Sequence, residues 1–227
     1  EGQGVERQAG KCVIVAAGDL SVAEIPLSGS DMLIAVDGGY KYCEELGLKP
    51  DLVLGDFDSV SGGQKEQIDR LSAESPGRVL RLKPEKDDTD TLAAIRLALG
   101  RGYREFLLYG ATGGSRLEHT VANIQCLLFI RHHGGVGYLL DRAGMCFVLE
   151  DEERCFPASS TGYLSLFSLG REARGVNIRG MKYELDNAVI TNDFPIGVSN
   201  EFIGAEAVVS VRQGQLLGII TNGTGLS

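Results

Sequence analysis

Three acidic segments of the sequence carry carboxylates at spacings that suit a metal-assisted phosphate site. They are VDGG at 36–39, GDFDS at 55–59 and EKDDTD at 85–90. Each follows a short apolar run and is therefore expected at the end of a strand, which is where open α/β sheets place their chemistry. Carboxylates that converge without basic partners repel one another, and a bound divalent ion removes that conflict.

The GDFDS segment places Asp56 and Asp58 two residues apart, so both can turn toward one cation from a loop at a strand end. Mg²⁺ prefers a few carboxylates together with phosphate oxygens and waters. The same segment is also typical of an Asx turn in which Gly55 supplies backbone freedom. The motif alone leaves both interpretations open, and the other acidic segments favour the metal site.

The EKDDTD segment precedes a helical pattern that begins near Thr89. Asp88 or Thr89 could cap that helix, and Asp90 suits its first turn because the helix dipole favours an acid there. For Asp88 we prefer the role of N-cap. Asp87 and Asp90 are three residues apart and can face the same rim as the GDFDS carboxylates.

Glycines mark two loops at this edge of the sheet, one of them in the VDGG segment. Those at 38 and 39 follow Asp37 and are also compatible with a simple turn. In YGATGGSRLEHTVAN at 109–123, glycines and Thr112 precede a helix N-terminus, where backbone N–H groups bind anions. No Gly-Lys-Ser/Thr follows, so this is not a Walker loop. The glycines of this second loop are Gly110, Gly113 and Gly114.

The helix after the second loop begins with polar side chains. Arg116 could give phosphate a charge-assisted fork, although an arginine at a helix start is more often a solvated surface residue. His119 and Asn123 are four residues apart and point the same way, with Glu118 beside them. We expect His119 to bind or orient a ligand rather than to act as a catalyst.

Strand and helix patterns alternate up to about residue 140, which predicts an α/β fold with an open parallel sheet flanked by helices. Helical spacing of apolar residues follows Thr89 and Arg116. Short apolar runs bounded by glycine, proline or aspartate are predicted as buried strands. These runs are Cys12 to Ala17, Met32 to Val36, Leu52 to Leu54, Val79 to Leu82, Phe106 to Tyr109 and Gly137 to Leu140.

The residues after Arg142 show a different pattern, in which alternating apolar and polar runs are separated by glycine, asparagine and aspartate turns. These runs are Tyr163 to Phe167, Ala188 to Thr191, Ala207 to Val211 and Leu216 to Thr221. This pattern predicts a C-terminal all-β sandwich or barrel of about 80 residues, which is only marginally large enough to fold alone. We therefore expect it to dock on its neighbour or on a second subunit. The predicted domains are an α/β domain at 11–141 and a β domain at 142–227.

Composition excludes some classes of function. A net charge of −9 argues against a nucleic-acid binder, which needs a basic face to displace counterions. No stretch approaches the ~20 consecutive apolar residues of a membrane helix. The first ten residues suit a disordered leader rather than a signal peptide or an anchor. Five cysteines without metal-binding spacing are most simply interpreted as reduced thiols in a cytoplasm.

The ordered segments DGG, GDFDS, KDDTD and GATGGSRLEHTVAN resemble the thiamine pyrophosphokinase family over nearly the whole chain. GVNIRGMKYEL at 175–185 and SNEF at 199–202 are similar to the family's thiamine-side segment in its β domain. The resemblance implies an ATP-dependent diphosphotransferase, in which the thiamine hydroxyl attacks the β-phosphorus of ATP and gives thiamine diphosphate and AMP. It also implies Mg²⁺ as cofactor and a homodimer in which the α/β domain of one subunit and the β domain of the other enclose thiamine.

The resemblance also implies roles for individual residues. The implied catalytic carboxylates are Asp56, Asp58, Asp87 and Asp90, of which the first three would bind the metal ion. The implied ATP site comprises Asp37, Gly38, Gly39, Thr112, Gly113, Gly114, Arg116, His119 and Asn123. The implied thiamine site comprises Thr89, Glu118, Ser199, Asn200 and Glu201.

Two positions depart from the family pattern. Glu118 stands where the family usually has aspartate, which displaces the carboxylate by one methylene group. Ser115 lengthens the loop before Arg116.

Two other classes of function compete with this interpretation. Residues 56–60 fit the Asp-x-Asp-x-Thr/Val start of haloacid-dehalogenase-like phosphatases, whose first aspartate is a nucleophile. In those phosphatases the motif follows the first strand, whereas here it follows the third predicted strand, and no separate cap domain is evident. The other alternative is a non-catalytic nucleotide- or thiamine-binding regulator, and the presence of all four key carboxylates argues against it.

Overall fold

The computed structural model describes residues 10–58, 60–83, 88–142 and 144–223. The chain divides into two compact units, unit 1 at Glu1–Arg142 and unit 2 at Ala143–Ser227. This division lies one residue after the boundary predicted from the sequence. None of the helices in the described ranges is long and apolar enough to cross a membrane.

The described part of unit 1 contains six strands, which are β1 (Cys12–Val15), β2 (Met32–Val36), β3 (Leu52–Gly55), β4 (Val79–Arg81), β5 (Glu105–Tyr109) and β6 (Val136–Asp141). They form a parallel arrangement in the order β6-β5-β1-β2-β3-β4. The carboxyl ends of these strands therefore lie at one edge. Because the strand order reverses direction beside β1, ligands are expected at that edge.

Four α-helices connect these strands in the same described ranges, and they are α1 (Gly39–Glu45), α2 (Gly62–Glu74), α3 (Asp90–Gly100) and α4 (Leu117–His132). A short 3-10 turn spans Pro76–Arg78. The apolar spacing of the sequence predicts α3 and α4 but not α1 or α2. In α2 only Ile68 is buried, so its sequence has little apolar periodicity.

The centre of unit 1 is buried on both faces of the sheet. Every residue of β1, β2 and β3 is buried. Runs rich in valine, isoleucine and leucine are typical of parallel strands that helices cover on both sides. The predicted α/β fold is confirmed, and the strand bounds agree closely except that β1 ends at Val15 instead of Ala17.

Unit 2 consists of two antiparallel sheets over its described residues. The first contains β7 (Gly144–Glu150), β9 (Tyr163–Ser168), β12 (Asn200–Glu201) and β14 (Gln215–Thr221). The second contains β8 (Glu153–Phe156), β10 (Glu172–Arg179), β11 (Leu185–Thr191) and β13 (Ala207–Ser210). The ring centroids of Phe147 on β7 and Phe156 on β8 lie 6.1 Å apart, so the two sheets pack face to face. The predicted C-terminal all-β domain is confirmed, and of the two predicted forms, a sandwich or a barrel, it has the form of a sandwich.

The alternating sequence pattern predicts β9, β11, β13 and β14 but misses the other strands of unit 2. In β10 the pairing with β11 shifts register on both sides of Val176. Gly175 has a φ of +64° there, and the irregular backbone interrupts the alternation of inward and outward side chains. A strand with such register shifts does not show a regular alternation of apolar and polar residues, so the sequence pattern did not predict β10.

Candidate active site

Three carboxylates come together at the carboxyl edge of the unit 1 sheet. Asp37 follows β2, Asp56 follows β3, and Asp90 is the first residue of α3. One carboxylate oxygen of each lies within 4.8 Å of the other two, and all three residues are partly exposed. We call these three residues the acidic cluster. Oxygen ligands at this spacing suit a hard divalent cation.

Asp37 is held in the cluster by its backbone and by a neighbouring glycine. Its φ of +48° lies in the left-handed region, and its N–H donates to Leu54 O at 2.9 Å. A β-carbon at Gly55 would lie 1.9 Å from Asp37 Oδ1, so the carboxylate occupies space that any other side chain at residue 55 would fill. The sequence resemblance assigns Asp37 to nucleotide binding, and the structure places it beside Asp56 and Asp90.

The loop after β3 turns sharply at Phe57. This residue has a φ of +60° and is fully buried, and the Arg81 guanidinium carbon lies 5.3 Å from its ring centroid. The Asp58 N–H donates to Asp56 Oδ1 at 3.1 Å, which is the hydrogen bond of an Asx turn. The Asx-turn interpretation of the GDFDS motif is therefore confirmed for Asp56. Asp56 also belongs to the acidic cluster, and metal binding by it stays a prediction.

Asp58 is placed differently from Asp56. Its side chain is exposed, and it lies outside the acidic cluster that the described residues form. Asp87, which was also predicted as a metal ligand, lies outside the described residues. Metal binding by Asp58 and by Asp87 therefore stays a prediction.

Thr89 caps α3, so the prediction that Asp88 is the N-cap is wrong. The Thr89 Oγ1 accepts a hydrogen bond from the Leu92 N–H at 3.1 Å, and Thr89 has the extended backbone of a cap residue. Asp88 is one residue too early and pairs instead with Arg96 at 2.6 Å. The prediction that Asp90 is an acid of the first turn is confirmed. The cap fixes the helix start and thereby the backbone position of Asp90.

The glycine loop, residues 110–116, packs closely against the residues that follow β1. The Gly18 N–H donates to Gly110 O at 2.7 Å, and the Asp19 N–H donates to Thr112 O at 2.9 Å. A β-carbon at Gly18 would lie 2.6 Å from both of these carbonyl oxygens, so only glycine permits the approach. The left-handed φ values of the loop are +59° at Gly110, +69° at Gly113 and +77° at Gly114.

Two predicted ATP ligands support this loop from within unit 1. Asn123 is buried, and its Nδ2 donates to Ala111 O at 2.7 Å. The Thr112 Oγ1 donates to Asp141 Oδ2 at 3.2 Å. These contacts fix the conformation of the loop, which is a structural role whether or not either side chain also contacts a ligand.

Charged side chains pair with each other at the start of α4. The Arg116 Nε lies 2.9 Å from Glu118 Oε1, and both side chains are largely exposed. The hydrogen bond from Arg116 lowers the pKa of the Glu118 carboxyl. His119 is exposed one residue farther along. Because exposed ion pairs are weak, a phosphate could replace Glu118 as the partner of Arg116.

The two glycines after Asp37 lie against the end of β1. A β-carbon at Gly39 would lie 2.0 Å from Val15 O, and one at Gly38 would lie 3.3 Å from Ala17 Cβ. The close approach of α1 to β1 therefore requires glycine at residue 39. Residues 37 and 38 form the turn that the sequence allowed, and Gly39 begins α1. ATP binding by these glycines stays a prediction.

In unit 2, the predicted thiamine ligands lie at β12. Ser199 has a φ of +57°. The Asn200 carboxamide is buried and accepts hydrogen bonds from the N–H groups of Tyr183 and Glu201 at 3.0 Å, while it donates to Tyr183 O at 2.7 Å. The Glu201 carboxylate lies 2.7 Å from Lys182 Nζ and raises the pKa of that lysine. Asn200 thus joins the two sequence segments that the resemblance assigns to thiamine.

Two residues of the unit 1 edge were missed by the sequence analysis. The Asp19 Oδ2 accepts from the Gly114 N–H at 2.9 Å across a separation of 95 residues. The Tyr42 hydroxyl donates to Gly18 O at 2.8 Å across 24 residues. Contacts between residues so far apart in the sequence leave no motif with a characteristic spacing, so the sequence did not indicate them. The only available signal was the position of Asp19 just after a predicted strand.

Two family models match the chain. The one described as "Thiamin pyrophosphokinase, catalytic domain" matches residues 25–136, which contain the acidic cluster and the glycine loop. The one described as "Thiamin pyrophosphokinase, vitamin B1 binding domain" matches residues 150–216 of unit 2. Together they match most of both units.

Known proteins agree with these matches. The thiamine pyrophosphokinase of Bacillus subtilis is 27% identical over 190 residues, which are 81% of this chain and 84% of that protein. The crystal structure of a thiamin pyrophosphokinase family protein from Enterococcus faecalis is 27% identical, has a TM-score of 0.78, and the match covers 93% of this chain and 99% of that one. Yeast thiamin pyrophosphokinase shares the fold, with a TM-score of 0.73 at 14% identity. That match covers 95% of this chain and 88% of the yeast chain. The chain therefore belongs to the thiamine pyrophosphokinase family.

Proposed function

We propose that this chain transfers the diphosphoryl group of ATP to the hydroxyl of thiamine and releases AMP. The chain is an enzyme that converts thiamine to thiamine diphosphate, as its family does. The observation that supports the proposed donor site is the acidic cluster, which lies at the same sheet edge as the glycine loop. ATP as the donor, Mg²⁺, the residue roles and the homodimer are the parts of the proposal that experiments must test.

The acidic cluster fits Mg²⁺ in donor type and in spacing. At a metal–oxygen distance of about 2.1 Å, two ligands of one octahedral ion lie roughly 3 to 4 Å apart. The carboxylate oxygens of Asp37, Asp56 and Asp90 lie within 4.8 Å of one another, so small side-chain rotations bring them to that spacing. Their partial exposure leaves room for phosphate oxygens and waters. When bound, the ion would neutralise negative charge on the phosphates.

Backbone and cationic groups of unit 1 supply the phosphate side of the proposed site. The glycine loop lies just ahead of the α4 N-terminus, where N–H groups and the helix dipole favour an anion. Arg116 would exchange the exposed carboxylate of Glu118 for a phosphate oxygen and bind it through a charge-assisted hydrogen bond. His119 would orient the nucleotide. Thr112 and Asn123 would act by holding the loop.

The transfer itself is a substitution at phosphorus. The thiamine hydroxyl oxygen forms a bond to the β-phosphorus, and the bond from that phosphorus to the oxygen bridging to the α-phosphorus breaks. AMP leaves with the bridging oxygen, and the hydroxyl proton passes to a carboxylate of the site or to water. Such a reaction depends mainly on positioning and on charge neutralisation. The fixed glycine loop would supply the positioning, and a Mg²⁺ ion held by the acidic cluster would supply the charge neutralisation.

For thiamine, we propose Ser199, Asn200 and Glu201 of unit 2, together with Thr89 and Glu118 of unit 1, as the contact residues. We also propose that two chains form a homodimer whose sites lie between subunits. Exposed apolar side chains near β12 support a second chain as partner, because burial removes them from water. Their exposed fractions are 48% to 65%, for Tyr183, Phe194, Ile196, Val198 and Ile203.

A cytoplasmic location is part of the proposal. The five cysteines, all among the described residues, form no disulfide bond, and reduced cysteines are typical of proteins in a reducing compartment.

Sedimentation equilibrium tests the dimer. We expect twice the chain mass for the wild type and a shift toward the monomer for Phe194→Ser combined with Ile196→Ser. A wild-type protein that stays monomeric at assay concentration would remove the dimer from the proposal.

The deciding experiment is an incubation with ATP, Mg²⁺ and thiamine in which thiamine diphosphate and AMP are both quantified. We expect the two products in equal amounts, with no product after omission of thiamine or addition of EDTA. Asp56→Asn should lose turnover, whereas Asp186→Asn, an exposed aspartate of unit 2 paired with Arg179, should retain it.

The same experiment separates the rival functions. Phosphate release without thiamine would indicate a haloacid-dehalogenase-like phosphatase. In the structure the Asp-x-Asp motif follows β3, the third strand in the described part of unit 1, which does not favour that class. Ligand binding without turnover would indicate a regulator. ADP in place of AMP would show that a single phosphoryl group is transferred and would contradict the proposed reaction.

A further inference from the structure

Asp19 contacts the glycine loop at two points. Its Oδ2 accepts a hydrogen bond from the Gly114 N–H at 2.9 Å. Its own N–H donates to Thr112 O at 2.9 Å. A β-carbon at Gly113, between these two contacts, would lie 2.4 Å from Asp19 Oδ2. The carboxylate therefore fits against the turn only because residue 113 is glycine.

The segment that carries Asp19 is itself fixed to the centre of unit 1. The Ala16 N–H donates to Tyr109 O at 2.8 Å, which continues the pairing of β1 with β5. The Gly18 N–H donates to Gly110 O at 2.7 Å, and the Tyr42 hydroxyl of α1 donates to Gly18 O at 2.8 Å. Asp19 thus extends from a rigid support and not from a free loop.

We propose that Asp19 is a positioning residue for the phosphate donor, which holds the Gly113–Gly114 turn in the conformation that receives the phosphates. This inference rests on the proposed function. Both glycines have left-handed φ values, +69° and +77°, and glycine readily leaves such a conformation. A hydrogen bond from outside the loop selects one conformation. A loop ordered in advance loses less conformational entropy when the nucleotide binds.

The charge of Asp19 makes the inference decidable. The Asp19 carboxylate repels phosphate. If it merely occupied the Gly114 N–H, it would compete with phosphate for that donor. Removal of the side chain would then strengthen nucleotide binding. If Asp19 positions the loop, its removal weakens nucleotide binding instead. The two effects have opposite signs, so a single binding measurement distinguishes them.

The test compares Asp19→Ala, Asp19→Asn and a matched control. Asparagine keeps an oxygen that can accept from Gly114 but has no charge, whereas alanine has neither. The control is Asp31→Ala, since Asp31 also accepts backbone N–H hydrogen bonds, from Lys11 and Ser28 at 2.8 Å. Asp31 directly precedes β2 and Asp37 directly follows it, so the control lies at the opposite edge of the sheet.

For Asp19→Ala we expect the KM for ATP to rise about tenfold, as for the loss of one charge-assisted hydrogen bond, with kcat and the KM for thiamine within about twofold of wild type. Asp19→Asn should restore the KM for ATP to within about twofold of wild type. Asp31→Ala should leave both KM values unchanged. A general loss of stability would not move one KM alone, and thermal unfolding of each variant confirms that it is folded.

A second readout does not depend on turnover. Titration calorimetry with a non-hydrolysable ATP analogue and Mg²⁺ should show the same order of affinities, with Asp19→Ala the weakest. The inference is overturned if Asp19→Ala binds the analogue as tightly as the wild type or more tightly. It is also overturned if Asp19→Asn binds the analogue no more tightly than Asp19→Ala does. If the wild type binds the analogue but makes no thiamine diphosphate, the proposed function fails while the binding series still decides the role of Asp19. A wild type that binds no nucleotide overturns both.

Discussion

Gly55 and Asp37 lie so close at the ends of β3 and β2 that a β-carbon at residue 55 would lie 1.9 Å from Asp37 Oδ1. The smallest side chain at this position must therefore displace the carboxylate of Asp37 or the backbone beneath it. A displacement of about 1 Å in a reacting group can lower the rate about 100-fold. For Gly55→Ala we expect a loss of kcat of that size, measured as thiamine diphosphate formed, with cooperative unfolding retained.

Gly63→Ala is the matched control for this substitution. A β-carbon at residue 63 would meet nothing within 4 Å, and the residue lies in the first turns of α2. Alanine is favoured over glycine in a helix by about 0.5–1 kcal/mol, so we expect unchanged activity and slightly higher stability. Equal activity of the two variants would show that the position of the Asp37 carboxylate does not limit turnover.

Thr89 connects the stability of α3 to the position of Asp90. Thr89→Ala removes the hydrogen bond from the Leu92 N–H and is expected to lower the free energy of unfolding by about 1 kcal/mol. Because Asp90 is the first residue of the helix, fraying there should also lower kcat. Thr89→Ser keeps the cap oxygen and should restore stability and activity together.

Urea unfolding and product formation measured on the same samples test this coupling. If Thr89→Ser restores stability but not activity, the threonine methyl group or a direct ligand contact matters, and the cap alone does not explain the role of Thr89. Asp88→Asn should leave both quantities unchanged, since its pair with Arg96 is exposed and such pairs contribute little.

For Asp58→Asn we expect loss of turnover in a folded protein. The backbone N–H of residue 58 donates the hydrogen bond to Asp56 Oδ1, so asparagine keeps it and the Asx turn should survive. The substitution then removes one exposed carboxylate beside the acidic cluster. The measurement is kcat over a range of Mg²⁺ concentrations, together with a circular dichroism spectrum. Wild-type kcat in a folded Asp58→Asn protein would remove Asp58 from the site.

The edge of the sheet could be predicted because its signals are local. Asp37 and Asp56 each directly follow a buried apolar run, and parallel strands bring such positions to one edge. The contact between Asp19 and Gly114 could not be predicted in the same way, since it joins residues 95 apart and depends on left-handed glycines. Topology brings such groups together, and a hydrophobic pattern specifies topology only in part.

The start of α3 shows how precisely a helix boundary can be predicted from the sequence. Asp88 and Thr89 are both good cap residues, and a shift of one residue decides which oxygen reaches the Leu92 N–H. The preceding residues 84–87 lie outside the described residues, so the structure leaves the prediction for Asp87 as it was. Helix existence is specified by many residues, whereas its first residue depends on one hydrogen bond.

Thiol reactivity should follow burial along the chain. Burial raises the pKa of Cys43 to about 12 and that of Cys126 to about 11, and it also raises the pKa of Cys12. Because the thiolate is the reactive form, these three should resist Ellman's reagent at pH 8 while exposed Cys155 reacts first. Cys155→Ser should remove the fastest phase and leave a slower one from Cys146, which is partly buried. Fast labelling of Cys12, Cys43 or Cys126, identified by peptide mass spectrometry, would contradict their burial.

Asp31 provides a pH-dependent contribution to stability at the edge of the sheet away from the acidic cluster. Partial burial raises the pKa of its carboxyl, but hydrogen bonds from the N–H groups of Lys11 and Ser28 outweigh this, and the net pKa lies below the ordinary value of 3.8. A depressed pKa in the folded state means that the carboxylate stabilises the fold above pH 3.8 and that this stabilisation is lost as the pH falls through the folded-state pKa. Asp31→Asn should therefore be less stable than the wild type at pH 6, and the difference between the two urea midpoints should shrink as the pH falls below about 4. A difference that stays constant from pH 6 to pH 3 would show that the carboxylate charge contributes nothing there.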